Sequence, residues 1–109
     1  SIKGKGVRKN ESMALSYCNE AAKLNSLNSI TYNTIGDLLL KGVGQRRGNV
    51  PTSEVLSAFR RSCELKDGSG CCNLAKIYHD QSNYELRDTN INLAKQHNFS
   101  HCQTLIDLR

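Results

Sequence analysis

Cysteine has the widest chemistry of any residue type in this chain, and five cysteines occur among its 109 residues. They are Cys18, Cys63, Cys71, Cys72 and Cys102. Cysteines form disulfides, bind metals or act as nucleophiles, and an odd number leaves at least one without a partner inside the chain. Zinc sites commonly combine Cys-x-x-Cys pairs, and this spacing does not occur here. We therefore predict no metal site.

Histidine is the residue that most often activates a cysteine nucleophile, and the chain has His79, His97 and His101. His101 precedes Cys102, and His79 lies in the same predicted helix as Cys72. A catalytic pair needs both side chains within hydrogen-bond reach and a third group that orients the base. The serines lack the Ser-x-x-Lys motif with the companion motifs of β-lactamases. We predict a protein that is not an enzyme and has no catalytic residue.

The charge balance is basic, with 15 Lys and Arg against 10 Asp and Glu, a net charge of +5. Acidic residues lie between the basic ones and aromatic residues do not, which favours a solvated surface over a nucleic-acid site. The longest purely apolar run, Leu38–Leu40, is far shorter than a membrane span. We predict neither a nucleic-acid partner nor a transmembrane segment.

The elements that position these residues are predicted to be helices, because the chain has one proline and no long alternation of apolar and polar residues. The first predicted helix is N-capped by Asn10 and ends at Leu24, and the second runs from Ile30 to about Lys41. The third is N-capped by Thr52 or Ser53, and the fourth begins at Cys71. A short fifth helix is N-capped by Asp88, and a last segment begins at about Ser100. In the first helix we expect a buried stripe of Met13, Ala14, Tyr17, Ala21 and Leu24.

Similar segments recur with a period near 38 residues. Gly4-x-Gly6 returns as Gly42-x-Gly44, and we expect these glycines to form tight turns with positive φ. The period predicts one domain, residues 1–109, with units of about 1–41, 42–80 and 81–109. The first unit lacks an opening helix, so we expect a fragment of a longer array. Short loops make neighbouring helices antiparallel, which predicts an all-α solenoid of helical hairpins.

This pattern resembles the Sel-1-like repeat family, a relative of tetratricopeptide repeats. The matching residues are Gly4-Lys5-Gly6-Val7 with Ala14, Tyr17 and Ala21-Ala22, then Ile35-Gly36 with Leu39 and Leu74-Ala75 with Tyr78. The match covers about residues 4–78 well and 88–108 loosely, and the loop near 81–87 lacks the glycine pair. The resemblance implies a solenoid whose concave face binds a partner protein.

A narrower resemblance rests on residues 63–74, CELKDGSGCCNL. Cysteine-rich Sel-1-like proteins carry a cysteine at the end of one helix and another eight residues later, and the two are bonded across the turn. The resemblance implies a Cys63–Cys71 disulfide, with Cys72 as a competing partner and buried free thiols as the alternative. Cys18 and Cys72 match no family cysteine, and the family's partner position for Cys102 holds another residue type. We therefore expect one family disulfide.

Two groups of cysteine-rich members suggest functions. One group consists of mitochondrial intermembrane-space proteins that support cytochrome c oxidase assembly. The long loop at 42–51 resembles the corresponding loop of this group. The other consists of secreted Helicobacter proteins linked to β-lactam or peptidoglycan binding and weak hydrolysis. We predict a non-enzymatic scaffold of the first kind, with a protein partner on the concave face and no cofactor, haem being implied by resemblance alone. The alternatives are a secreted or periplasmic protein and a cytosolic or endoplasmic-reticulum adaptor.

Overall fold

The computed structural model describes residues 2–24, 27–42 and 52–109, with side chains from Glu11 onward. All regular secondary structure in these ranges is α-helical, which confirms the all-α class. The six helices are α1 (Ile2–Leu24), α2 (Ser29–Leu40), α3 (Thr52–Glu64), α4 (Gly68–Asp80), α5 (Tyr84–Gln96) and α6 (Cys102–Asp107). No helix in the described ranges is both long enough and apolar enough to cross a membrane.

Helices that follow one another along the chain pack against one another from α1 to α5, and α6 contacts both α4 and α5. The core lies where α3 and α4 meet their neighbours. Val55, Phe59, Cys71 and Ala75 are fully buried there. Each pair is spaced four residues apart, so its members lie on one helix face and bury that face against the adjacent helix.

Helices α3, α4 and α5 end in the same left-handed turn. Lys66, Ser82 and Asn98 have φ values of 70°, 60° and 66°. In each turn the next residue donates its N–H to the carbonyl five residues earlier, over 3.2, 2.8 and 2.8 Å. This is the Schellman arrangement, which satisfies carbonyls at the helix end and reverses the chain within a few residues. It lets each helix return against the one before it.

The starts of α4 and α5 lie earlier than predicted. Asp67 accepts the N–H of the residue two positions on at 3.0 Å, and Asn83 accepts that of the residue three positions on at 3.3 Å. These caps start α4 and α5 directly after them. The predicted starts at Cys71 and Asp88 were therefore wrong, because the side chains that cap the helices stand before the first apolar residues.

Helix α1 also begins earlier than predicted. It starts at Ile2, so Asn10, Gly4 and Gly6 are interior residues, and the predicted cap and first glycine turn were wrong. A glycine inside a helix costs roughly 1 kcal/mol relative to alanine. The other residues of a 23-residue helix offset this cost. Gly42 has the expected positive φ of 82°. Gly44 and the rest of the loop at 43–51 lie outside the described residues.

The apolar stripe predicted for α1 is not buried. Met13, Tyr17 and Leu24 are 53, 74 and 87% exposed, and the two alanines of the stripe are partly exposed. Leu15 and Cys18 pack against the core instead. Within the described residues α1 packs chiefly against α2. The face of α1 that packs is the one that carries Leu15 and Cys18, not the predicted stripe.

Candidate functional site

Two disulfides converge on the first turns of α4. Cys63 in the last turn of α3 is bonded to Cys71, with Cα atoms 4.6 Å apart. The next residue, Cys72, is bonded to Cys102, the first residue of α6, with Cα atoms 5.6 Å apart. The structure therefore contains the pairing that the family resemblance implies, and a second disulfide that we did not predict.

The sequence held only an indirect signal for the second disulfide. With Cys63 and Cys71 paired, Cys18, Cys72 and Cys102 remain, and their spacing does not show which two meet. The return of α5 along α4 brings the start of α6 to the start of α4. That contact depends on packing between distant segments, so local patterns did not reveal it.

Cys18 is the free cysteine of the chain and is partly buried on α1. Burial raises the pKa of its thiol, because the thiolate would lose hydration there. The neutral thiol is therefore favoured near neutral pH. A reactive cysteine needs the opposite shift, so Cys18 acts chiefly as a small apolar residue against the core.

The histidines take three separate positions. The Nδ1 atom of His79 lies 3.1 Å from a guanidinium nitrogen of Arg87. The ring of His101 stacks on Phe99 with ring centroids 4.2 Å apart, and His97 caps the end of α5. The cysteines paired with histidines in the catalytic alternative, Cys72 and Cys102, are bonded to each other and carry no thiol in this state.

A groove of about 440 Å³ runs between α3 and α5, with α4 as its floor. Its lining residues are Arg60, Cys63, Glu64, Lys66, Leu74, Tyr78, Leu86, Asn90, Leu93 and His97. Because adjacent helices alternate in direction, the end of α3, the start of α4 and the end of α5 share one end of the groove. Lys66 and His97 therefore mark that end, next to the disulfides.

The groove has apolar walls. Leu74 and Tyr78 on α4 are almost fully buried and form the floor, while Leu86 and Leu93 on α5 form one wall and keep part of their surface open. Asn90, between these two leucines, donates its side-chain amide to the carbonyl of Leu86 at 2.9 Å. Its donor is thereby satisfied within the wall. An apolar side chain entering the groove would meet mainly carbon atoms.

The rim of the groove is positively charged. Arg60 donates from Nη2 to the hydroxyl oxygen of Tyr78 at 3.3 Å, which holds the guanidinium over the groove. The acidic residue on this rim, Glu64, lies 3.8 Å from Arg61. Neither Arg60 nor Lys66 forms an ion pair with a carboxylate of the described residues. Two cations therefore remain available to an incoming ligand.

Among the residues that line the groove, Cys63, Tyr78 and His97 are of types that can bind haem iron. Haem iron needs an axial histidine, methionine, tyrosine or thiolate. The sulfur of Cys63 is bonded to Cys71, the hydroxyl oxygen of Tyr78 accepts the Arg60 hydrogen bond, and His97 lies at one end. In the described part of the chain, no three or more His, Cys, Asp or Glu side chains cluster as metal ligands.

Comparison of the chain with protein-family models, with curated proteins and with solved structures finds no match.

Proposed function

We propose that this chain is a non-enzymatic scaffold that binds a segment of a partner protein in the groove between α3 and α5. The observation that carries this proposal is an apolar floor and wall next to two rim cations, Arg60 and Lys66, that form no ion pair within the described residues. Apolar anchors and a few placed charges are how grooves between helices select protein segments.

The architecture that we propose for this function is a solenoid of Sel-1-like helical hairpins, with the groove on its concave face. Sequential packing of α1 to α5 and the shared turn at three helix ends support it. So does a polar link between alternate helices: Asn73 donates to Asn33 over 2.8 Å. These two residues are 40 positions apart, close to the repeat period.

The segment that suits the groove has an apolar side chain next to a carboxylate. The apolar group would cover Leu86 and Leu93 and exclude water from Leu74. The carboxylate would meet Arg60 or Lys66, whose charges have no acidic partner in the described residues. A basic segment would be repelled at the same rim, so charge selects between partners.

The compartment that we propose is the mitochondrial intermembrane space, where the chain would support cytochrome c oxidase assembly as the cysteine-rich Sel-1-like proteins do. Two disulfides among five cysteines support an oxidising compartment. A bonded form is disfavoured in the reducing cytosol, which counts against the cytosolic adaptor.

A peptide selection tests the binding function. A displayed library of random peptides is selected on the oxidised protein, and the affinities of the winners are measured by fluorescence anisotropy. We expect winners with a large apolar residue beside Asp or Glu. Leu86→Asp should weaken their binding severalfold, because the apolar contact is lost and a carboxylate is placed against that of the peptide.

Matched variants control this experiment. Leu108→Asp changes another exposed leucine that does not line the groove, and it should leave the affinity unchanged. Arg60→Glu should weaken binding, and Lys95→Glu, which makes the same charge change off the groove, should weaken it much less. Winners that are basic, or whose affinity is insensitive to Leu86, would refute the groove as the binding site.

The compartment has its own test. Protein from native cells is alkylated without reduction and analysed by mass spectrometry, and mitochondria are treated with protease before and after rupture of the outer membrane. We expect bonded Cys63–Cys71 and Cys72–Cys102 peptides, and digestion only after rupture. Depletion of the protein should lower assembled cytochrome c oxidase. Five alkylated cysteines would refute an oxidising compartment.

A further inference from the structure

We propose that the Cys72–Cys102 disulfide is a redox latch that keeps the groove in its binding form. This inference rests on the function proposed above, since it concerns the regulation of the same groove. Reduction of the latch would release α6 and the segment that leads to it, residues 97–101. The groove would then lose one of its ends.

Helix α6 depends on the latch because its other contacts are few, with Leu105 and Ile106 packing against the core. It has six residues, far fewer than an isolated helix needs for stability. Of these, Cys102 and Ile106 are buried, and no side chain caps its first turn. Its packing against α4 and α5 is sparse compared with the packing of α4 against α5. An exposed ion pair between Arg109 and Asp80 adds little.

The segment between the groove and the latch lies directly on the first turn of α4. A methyl group placed on Gly68 would stand 2.6 Å from Cβ of Phe99 and 2.7 Å from the carbonyl oxygen of His97. His97 also lines the groove. The disulfide at Cys102 therefore holds a short connection whose other end forms part of the binding surface.

The other disulfide does not have this effect. Cys63 and Cys71 join the two helices α3 and α4, which pack on each other extensively without it. Reduction would leave this hairpin folded and the groove floor in place. The two disulfides therefore predict different responses to the same reductant.

The chemistry of the latch is thiol–disulfide exchange with a dithiol reductant. Both cysteines are buried, so the reductant reaches them when α6 opens transiently. A thiolate of the dithiol then attacks one of the two sulfurs, and the other leaves and takes a proton. The second thiol of the reductant then displaces the first protein sulfur. Two electrons and two protons pass to Cys72 and Cys102, which become thiols, and the reductant becomes a disulfide.

Two variants isolate the two disulfides. The latch-only variant carries Cys18→Ser, Cys63→Ala and Cys71→Ala, and the hairpin-only variant carries Cys18→Ser with Cys72→Ala and Cys102→Ala. Each is measured with and without dithiothreitol. One readout is amide hydrogen exchange over residues 97–107, and the other is the affinity for a selected apolar-acidic peptide.

We expect dithiothreitol to raise exchange over residues 97–107 in the latch-only variant and to weaken its peptide binding. If the released form makes up about nine-tenths of the molecules, the apparent affinity falls about tenfold. The hairpin-only variant should bind as weakly as the reduced latch-only variant and should not respond to dithiothreitol.

The outcomes separate the two proposals. An oxidised wild-type chain that selects no peptide refutes the groove function. A groove that binds equally well after residues 97–107 have opened refutes the latch alone. Unchanged hydrogen exchange after reduction of Cys72–Cys102, verified by mass, also refutes the latch.

Discussion

The ring of Phe59 on α3 lies directly against the backbone of Gly36 on α2, with no second side chain between them. A Cβ atom at Gly36 would stand 2.5 Å from Cε1 of Phe59 and 2.7 Å from Cδ1. Phe59 is almost completely buried and Gly36 has helical geometry. This contact brings the two helices close enough to share one core.

The replacement Gly36→Ala should therefore destabilise the protein. Overpacking typically costs ~1–3 kcal/mol, and the better helix propensity of alanine offsets about 1 kcal/mol. We expect a net loss of up to about 2 kcal/mol in the free energy of unfolding, measured in urea. In a Phe59→Leu background, where the ring is gone, the same replacement should cost much less. Equal losses in both backgrounds would show that the ring is not the obstacle.

Removal of the two disulfides should have unequal effects. The chain-entropy model assigns about 2.6 kcal/mol to a loop the size of Cys63–Cys71 and about 3.7 kcal/mol to one the size of Cys72–Cys102. Each pair is replaced by two alanines, and the free energy of unfolding is measured in urea without reductant. The Cys72–Cys102 variant should lose more of it than the Cys63–Cys71 variant. Greater loss from the Cys63–Cys71 pair would show that lost packing outweighs loop entropy.

The left-handed turn after α4 offers a stabilising replacement. Ser82 has a φ of 60°, which costs roughly 1 kcal/mol for a residue with a Cβ atom. We expect Ser82→Gly to raise the free energy of unfolding by about 0.5–1 kcal/mol. Asn98→Gly, at φ 66°, is the matched control and should gain less, because asparagine tolerates this region better. A lower melting temperature for Ser82→Gly would contradict the strain at this turn.

The thiol of Cys18 should titrate above its ordinary pKa, since burial disfavours the thiolate. In the oxidised protein, the rate of iodoacetamide alkylation should rise with pH through a midpoint higher than that of an unfolded peptide spanning Cys18. The neutral thiol favours the folded state below the unfolded pKa, and this contribution is lost as pH rises through the folded pKa. Cys18→Ser should abolish the reaction. A midpoint at or below that of the peptide would refute the burial effect.

The sequence by itself determined the helical class and much of the local layout. The scarcity of proline and the spacing of Val55 and Phe59 indicated helices. The apolar residues from Ile30 to Leu39 located α2 to within about a residue at each end. The pairing of Cys63 with Cys71 was implied by the resemblance of residues 63–74 to cysteine-rich Sel-1-like proteins, and the structure contains it. These two cysteines meet because a short turn joins their helices.

Tertiary structure decided the features that depend on which distant surfaces meet. The amphipathic stripe of α1 predicted that Tyr17 is buried, but periodicity cannot say which face a neighbouring helix covers. The Cys72–Cys102 bond joins residues 30 positions apart, and it requires α5 to return along α4 first. The groove likewise exists only because α3 and α5 flank α4, so its cations Arg60 and Lys66 had no distinguishing mark in the sequence. Local hydrogen bonds and side-chain periodicity act over a few residues, whereas these contacts depend on how whole helices pack.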